Sequence, residues 1–218
     1  MGAFTELSKN IFKDIVAKAI ELNYSESNIL ILSNKELALK EKYPNVYANL
    51  LSCKHNRDMR SPFEYAQDLV ASWLFEDTLV KLLNDNGINV KLSGADKTRD
   101  ILPTSKVSAS SDTEVTINGV TRKMELMSDY TGYWTRNHKI DLRDDKFQKT
   151  KNTNSLFLGI STKDRKYILL DFSKPIQCIY INYHIPYGGK PCYSIIINDW
   201  DLKNFSIIDL ANNIIELL

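Results

Sequence analysis

The chain has 218 residues, 43% of them hydrophobic and 25% charged, an ordinary globular composition with enough length for one good-sized core or two small ones. Its formal net charge of +1 excludes a general polycation, so any nucleic-acid surface must be local and made by segregating charge.

The N-terminal third reads helical. Phe4, Ile11, Phe12, Ile15, Val16, Ala19 and Ile20 recur at helical spacing, and Phe4 to Asn23 is amphipathic with charges throughout, unlike a signal peptide. A second helix is expected over Asn34 to Lys42, ending before Pro44, and a short third one over Val46 to Cys53. The polar, basic stretch 54–60 follows as a loop. Ser61-Pro62-Phe63-Glu64 then opens the longest predicted helix. Ser61 caps it, Pro62 suits its first turn, Glu64 completes a capping box, and Gly87 marks its end. Its apolar stripe is Ala66, Leu69, Val70, Trp73 and Val80, with Asp77 inside the stripe and Glu76 on its shoulder.

Beyond Gly87 the period changes to that of strands. Asn89 to Leu92 is a short strand, 94–99 a charged loop, and 111–127 a hairpin. The connection from Thr131 to Asn154 is polar, with a short helix expected over Leu142 to Lys151. Strands follow at Leu156 to Ile160, Tyr167 to Phe172, Ile176 to Ile185 and Tyr193 to Ile197. A helix from about Ile207 to Leu217 closes the chain, with Ser206 and Asp209 as its capping box. The fold class is therefore α/β: helices leading into a mixed central sheet, read as one domain over 1–218. Its parts are a helical section (1–60), a central core (61–172) and C-terminal strands with a helix (173–218).

The hairpin carries the chemistry. Asn118-Gly119 is the strongest short signal for a two-residue turn, and it pairs Thr113 with Met124 and Asp112 with Glu125. Directly opposed residues have Cβ atoms roughly 4.5–5.5 Å apart, so the two carboxylates repel unless a cation sits between them. Val115, Ile117, Met124 and Leu126 make one face apolar; Asp112, Glu114, Lys123 and Glu125 occupy the other, with Glu114 opposite Lys123. A hard divalent cation such as magnesium suits this all-oxygen pair.

An Asp at a strand start, a turn, and then Glu-x-Lys on the next strand is the PD-(D/E)xK signature, and here the sequence resembles the restriction-endonuclease-like nucleases. Ser111-Asp112 is similar to the first element, and Glu125-Leu126-Met127 to the second. The resemblance covers roughly 61–172. It implies a restriction-endonuclease-like mixed sheet flanked by helices and a magnesium-dependent type II restriction enzyme acting on double-stranded DNA. It also implies a homodimer, since cutting both strands of a palindrome calls for two sites related by a two-fold axis. Asp112 and Glu125 would hold the metal. Glu64, Glu76, Asp77 or Asp129 would supply an outer carboxylate. The family's lysine position is occupied by Met127, which can neither orient water nor stabilise a phosphate. Three readings follow: Lys123 or Lys146 takes over the role, another residue is tolerated there, or the chain carries an engineered Lys→Met change.

Basic residues beside aromatics suggest phosphate contacts: Lys54, Arg57 and Arg60 before the long helix, and Arg136, Lys139, Arg143 and Lys146 after the hairpin. Alternative functions are a repair, phage or homing nuclease of the same fold, or a DNA- or partner-binding module whose site has lapsed. Other chemistry is poorly supported. His55, His138 and His184 are scattered, and there is no phosphate loop or nucleophile elbow. Cys53, Cys178 and Cys192 form no Cys-x-x-Cys pair, which argues against a disulfide framework or structural zinc site and fits a reducing cytoplasm. No apolar run approaches the roughly 18–20 residues of a membrane span.

Overall fold

Capping residues and changes of hydrophobic period set the elements of the chain. A computed structural model describes residues 2–52, 60–103 and 112–218. The described residues divide into two compact units, the first of 2–52, 60–79 and 95–103, the second of 80–94 and 112–218.

The first unit is helical. The predicted amphipathic segment is two helices, α1 (Ala3–Asn10) and α2 (Ile15–Glu21), because Asp14 caps the second. Its carboxylate accepts hydrogen bonds from the amides of Val16 and Ala17, which interrupts a continuous helix. Ser25 caps a further helix, α3 (Glu26–Leu32), that sequence periodicity misses. Then come α4 (Glu36–Lys42) and α5 (Pro44–Ser52), as predicted to within a residue or two. The long helix α6 (Pro62–Asp85) begins with the expected capping box: the Ser61 amide donates to Glu64 at 2.7 Å, and the Glu64 amide to Ser61 Oγ at 3.1 Å. It is buried on more than one side, since Gln67, Asp68, Ala71, Leu74 and Phe75 join the predicted stripe. The buried Gln67 donates to the Ile31 carbonyl and the half-buried Asn49 to that of Ile101.

The second unit is built on a mixed six-stranded sheet. Its strands are β1 (Asn89–Leu92), β2 (Thr113–Ile117), β3 (Val120–Asp129), β5 (Leu156–Ser161), β6 (Lys166–Asp171) and β9 (Lys203–Asn204), in that spatial order. The Asn118-Gly119 turn sets the predicted register, with Thr113 opposite Met124 and Glu114 opposite Lys123. Both turn residues have positive φ, as the tight hairpin requires. Strands β3 and β5 run parallel and every other pair is antiparallel. A parallel pair needs a long crossover, and this one contains three elements: α7 (Tyr133–Asn137), β4 (Lys139–Arg143) and α8 (Asp144–Asn152). The sequence reading treats 131–141 as irregular connection. The structure corrects this, because Ile140 and Leu142 alternate into the core as a strand. Strand β4 pairs with β8 (Lys190–Ile196), which pairs with β7 (Cys178–His184), forming a second, three-stranded antiparallel sheet. Helix α9 (Ile207–Leu217) closes the chain with Ser206 Oγ accepting from the Asp209 amide, as predicted.

The fold class is thus α/β, a mixed central sheet flanked by helices with a helical N-terminal third. A core of Trp134, Ile140, Leu142, Phe147, Phe157 and Ile195, with further apolar residues around them, joins the crossover to the sheet. Gly159 lets it close: a Cβ there would lie 2.8 Å from the Trp134 ring and 2.9 Å from Ile168. Among the described residues no helix is long and apolar enough to cross a membrane.

Candidate active site

Asp112 and Glu125 meet as the hairpin register requires. Asp112 stands one position before Thr113, at the start of β2, and its Oδ2 accepts a hydrogen bond from the Leu126 amide at 2.9 Å. That bond fixes one carboxylate oxygen against the neighbouring strand. Glu125, in the middle of β3, is buried, and its Oε2 has no hydrogen-bond partner. A buried carboxylate oxygen without a partner is costly and calls for an explanation. Burial pushes the Glu125 carboxyl above the usual carboxylate range. Lys146 and Lys149 pull it down and Asp112 pushes it further up, with a net rise.

The lysine comes from α8. Lys146 Nζ lies 2.5 Å from Glu125 Oε1 and 3.8 Å from Asp112 Oδ2, bridging the two acids. Lys149 Nζ lies 3.9 Å from Glu125 Oε2. The helix starts directly after β4, with Asp144 and Asp145 in its first turn, where the helix dipole favours acids. Residues three apart share one helical face, so Lys146 and Lys149 reach the strand together while Phe147 and Thr150 are buried. Sequence reasoning counts Lys149 only among the basic residues of 136–151 that could contact phosphates; its i+3 spacing from Lys146 on a predicted helix is the signal that places it beside Glu125.

Met127 does not stand in for a lysine. It is half-buried and packs against the core that contains Phe147 of α8, so it supports the helix that delivers Lys146. Lys123 is exposed and faces Glu114 across the hairpin, not Glu125; of the two lysine candidates, the structure brings Lys146 to the acids.

The remaining predicted residues serve elsewhere. Asp129 ends β3, and its carboxylate accepts from the Thr131 amide and hydroxyl and from the Trp134 amide, ordering the turn into α7. Glu64 is consumed by the capping box. Glu76 and Asp77 pair with Arg99 within the helical unit, at 3.0 and 2.5 Å, and Tyr24 donates to Asp77. Arg60 pairs with Asp68 and sits over the Tyr65 ring. Arg136 is exposed and donates to the Thr131 carbonyl, Lys139 lies 3.6 Å from Asp141, and Arg143 is exposed beside Asp145 at 3.3 Å. Lys54 and Arg57 lie outside the described residues.

Two carboxylates, one with an oxygen left over, and a lysine within reach of both form an anionic notch with a cationic edge. Such a set can hold a hard divalent ion by its oxygens and neutralise charge on a phosphate by its ammonium.

No protein-family model and no curated protein matches the sequence. Among solved structures the chain is similar to Hjc, a Holliday junction resolvase from the archaeal hyperthermophile Archaeoglobus fulgidus, with 11% identity and a TM-score of 0.36 over 64% of this chain and 97% of that one.

Proposed function

We propose that the chain is a magnesium-dependent endonuclease that hydrolyses phosphodiester bonds in double-stranded DNA at specific sequences, in the manner of a type II restriction enzyme, with residues 1–218 acting as one nuclease domain in a homodimer. The observation that supports it best is the convergence of Asp112, Glu125 and Lys146, with Glu125 Oε2 buried, accepting no hydrogen bond and facing Lys149 Nζ at 3.9 Å.

The donor set fits magnesium: two carboxylates on one face, one of them with an oxygen that accepts no hydrogen bond. When bound, the ion supplies Lewis-acid polarisation of a phosphate and acidifies a water molecule. The residues do the rest. Asp112 is held rigid by the Leu126 amide, so its second oxygen has a defined direction. Glu125 must be ionised to act as a ligand, and its raised carboxyl makes that step depend on the cations beside it. Lys146 takes the part that the family gives to the lysine two residues after the Glu. Its ammonium would orient the attacking water or neutralise the pentacovalent phosphorane. Arg136 and Arg143, both exposed after β3 and on β4, would contact backbone phosphates.

The test is incubation of the full chain with phage genomic DNA and magnesium, read on a gel. Discrete bands that vanish with a chelator are expected. Ragged products would point to a repair-type nuclease instead, and intact DNA in every condition would leave only a binding module.

A further inference from the structure

The crossover that delivers Lys146 also contributes one member, Asp141, to a second cluster of polar groups. Asp141 of β4, His184 at the end of β7 and Cys192 of β8 each place one ligand-type atom within 4.8 Å of the others. Cys192 and Asp141 are buried, and the His184 side chain is 11% exposed. The strand pairing explains the meeting: Asp141 is opposite Ser194 and Arg143 opposite Cys192, while His184 pairs with Lys190 beyond a bulge in β7. Three separate strands supply the three groups, so no sequence spacing announces them.

Hydrogen bonding explains most of the cluster but not all of it. Asp141 accepts from Ser194 Oγ, from Tyr133 Oη at 2.7 Å and from the His184 ring at 3.1 Å, and Tyr187 Oη donates to its carbonyl. His184 Nε2 lies 3.1 Å from Asp141 Oδ2, the separation of two ligand atoms that can face one cation, and Nδ1 points away from the carboxylate. That Nδ1 is buried and has no hydrogen-bond partner. The ring is thus held only at Nε2, and a buried carboxylate, imidazole and thiol with converging ligand atoms match the donor set of a metal site.

We propose that Asp141, His184 and Cys192 form a binding site for a soft, nitrogen- and sulfur-seeking divalent cation, with zinc as the type. Imidazole, thiolate and carboxylate are the three side-chain groups that zinc takes, and three of them leave a fourth tetrahedral position for a solvent molecule. The hydroxyls of Tyr133 and Ser194 on Asp141 are the hydrogen bonds that orient a ligating carboxylate. A hard ion such as magnesium is disfavoured by the thiolate, so this site and the Asp112–Glu125 pair would select different metals. The consequence is mechanical. The ion would tie β4 to β7 and β8, and β4 runs without a break into α8. The site therefore pins the base of the helix that carries Lys146 and Lys149. It stands whether or not the chain cleaves DNA.

The experiment is a cobalt(II) titration of the full chain carrying Cys53→Ser and Cys178→Ser, in which Cys192 is the remaining thiol. A sulfur-to-cobalt charge-transfer band saturating at one equivalent, with tetrahedral d–d bands and displacement by zinc, is expected. Adding His184→Ala should weaken cobalt binding by at least about tenfold. Asp112→Asn and Glu125→Gln, introduced together, should leave the band unchanged. Absence of the thiolate band in the parent chain, or an unchanged affinity in the histidine variant, would overturn the proposal and leave a hydrogen-bonded polar cluster.

Discussion

In the helical unit, Asp77 receives an Arg99 nitrogen at 2.5 Å and the Tyr24 hydroxyl, while Glu76 takes another Arg99 nitrogen at 3.0 Å. In the sheet unit, Glu125 receives Lys146 on one oxygen and no hydrogen bond on the other. Both clusters place two carboxylates against a cation in poorly solvated surroundings. They differ in the cation. A guanidinium is a planar fork with five donors and can engage two carboxylates at once; an ammonium is a point charge on a flexible stem. Arg99 also lies over the Trp73 ring, 5.8 Å from its centroid, which holds the fork in place. Arginine here closes a structural joint, whereas lysine leaves acid oxygens available to a ligand. Burial pushes the Tyr24 hydroxyl far above its ordinary range and Asp77 adds to it, so that proton stays in the joint at any physiological pH.

The contrast makes the two clusters separable by mutation. Asp112→Ala should lower the rate of DNA cleavage by at least about 10³-fold, roughly 4 kcal/mol of transition-state stabilisation, with duplex binding nearly intact. Single-turnover cleavage and a band-shift assay check both halves. Asp77→Ala, which leaves a buried guanidinium short of a partner, should instead cost about 3–5 kcal/mol of folding stability in urea denaturation. If Asp77→Ala removed activity from a chain that stayed fully folded, the distinction would fail.

A third acid tests the closed type under titration. Asp171 of β6 accepts from Arg122 of β3 and from the Ser173 amide and hydroxyl. Burial alone would raise its carboxyl, but Arg122 and Ser173 more than offset that and hold it at about 2. The folded pKa lies below the unfolded one. Its stabilisation is therefore present above the ordinary aspartate range, near about 4, and is lost as pH falls towards 2. Asp171→Asn should cost roughly 1–2 kcal/mol at neutral pH and only a small fraction of that at pH 2, a difference that thermal unfolding at the two pH values reads.

Met127→Lys gives the smallest effect on cleavage. The side chain packs with the core under α8, so a lysine there loses apolar contact and should destabilise by about 1–3 kcal/mol without increasing cleavage. A gain in rate would mean that position 127 is the true seat of the lysine.

Much of this was legible before the structure. The Asn118-Gly119 turn announces its register, and Asp112 opposite Glu125 follows by counting. The Ser61–Glu64 and Ser206–Asp209 caps announce two helices to within a residue. The crossover was not legible. Strand β4 is five residues long and flanked by two short helices, so neither period develops far enough to be read. Asp129 shows the opposite error: its period places it on the face of Glu125, but local amides at Thr131 and Trp134 claim it first. Likewise Glu76 and Asp77 look like spare carboxylates until Arg99, more than twenty residues later in the chain, is seen to engage them. Partners distant in sequence decide which acids remain available, and periodicity carries no information about them.

Helix α8 supplies the lysine that position 127 of β3 lacks. Single-turnover cleavage of phage DNA in magnesium by Lys146→Ala and Lys123→Ala, side by side with the parent chain, tests it most directly. A loss of about 10²-fold or more is expected for Lys146→Ala, and a rate within about twofold of the parent for Lys123→Ala, since Lys123 is exposed and faces Glu114. Parent-like cleavage by Lys146→Ala, or a matching loss in Lys123→Ala, would contradict it.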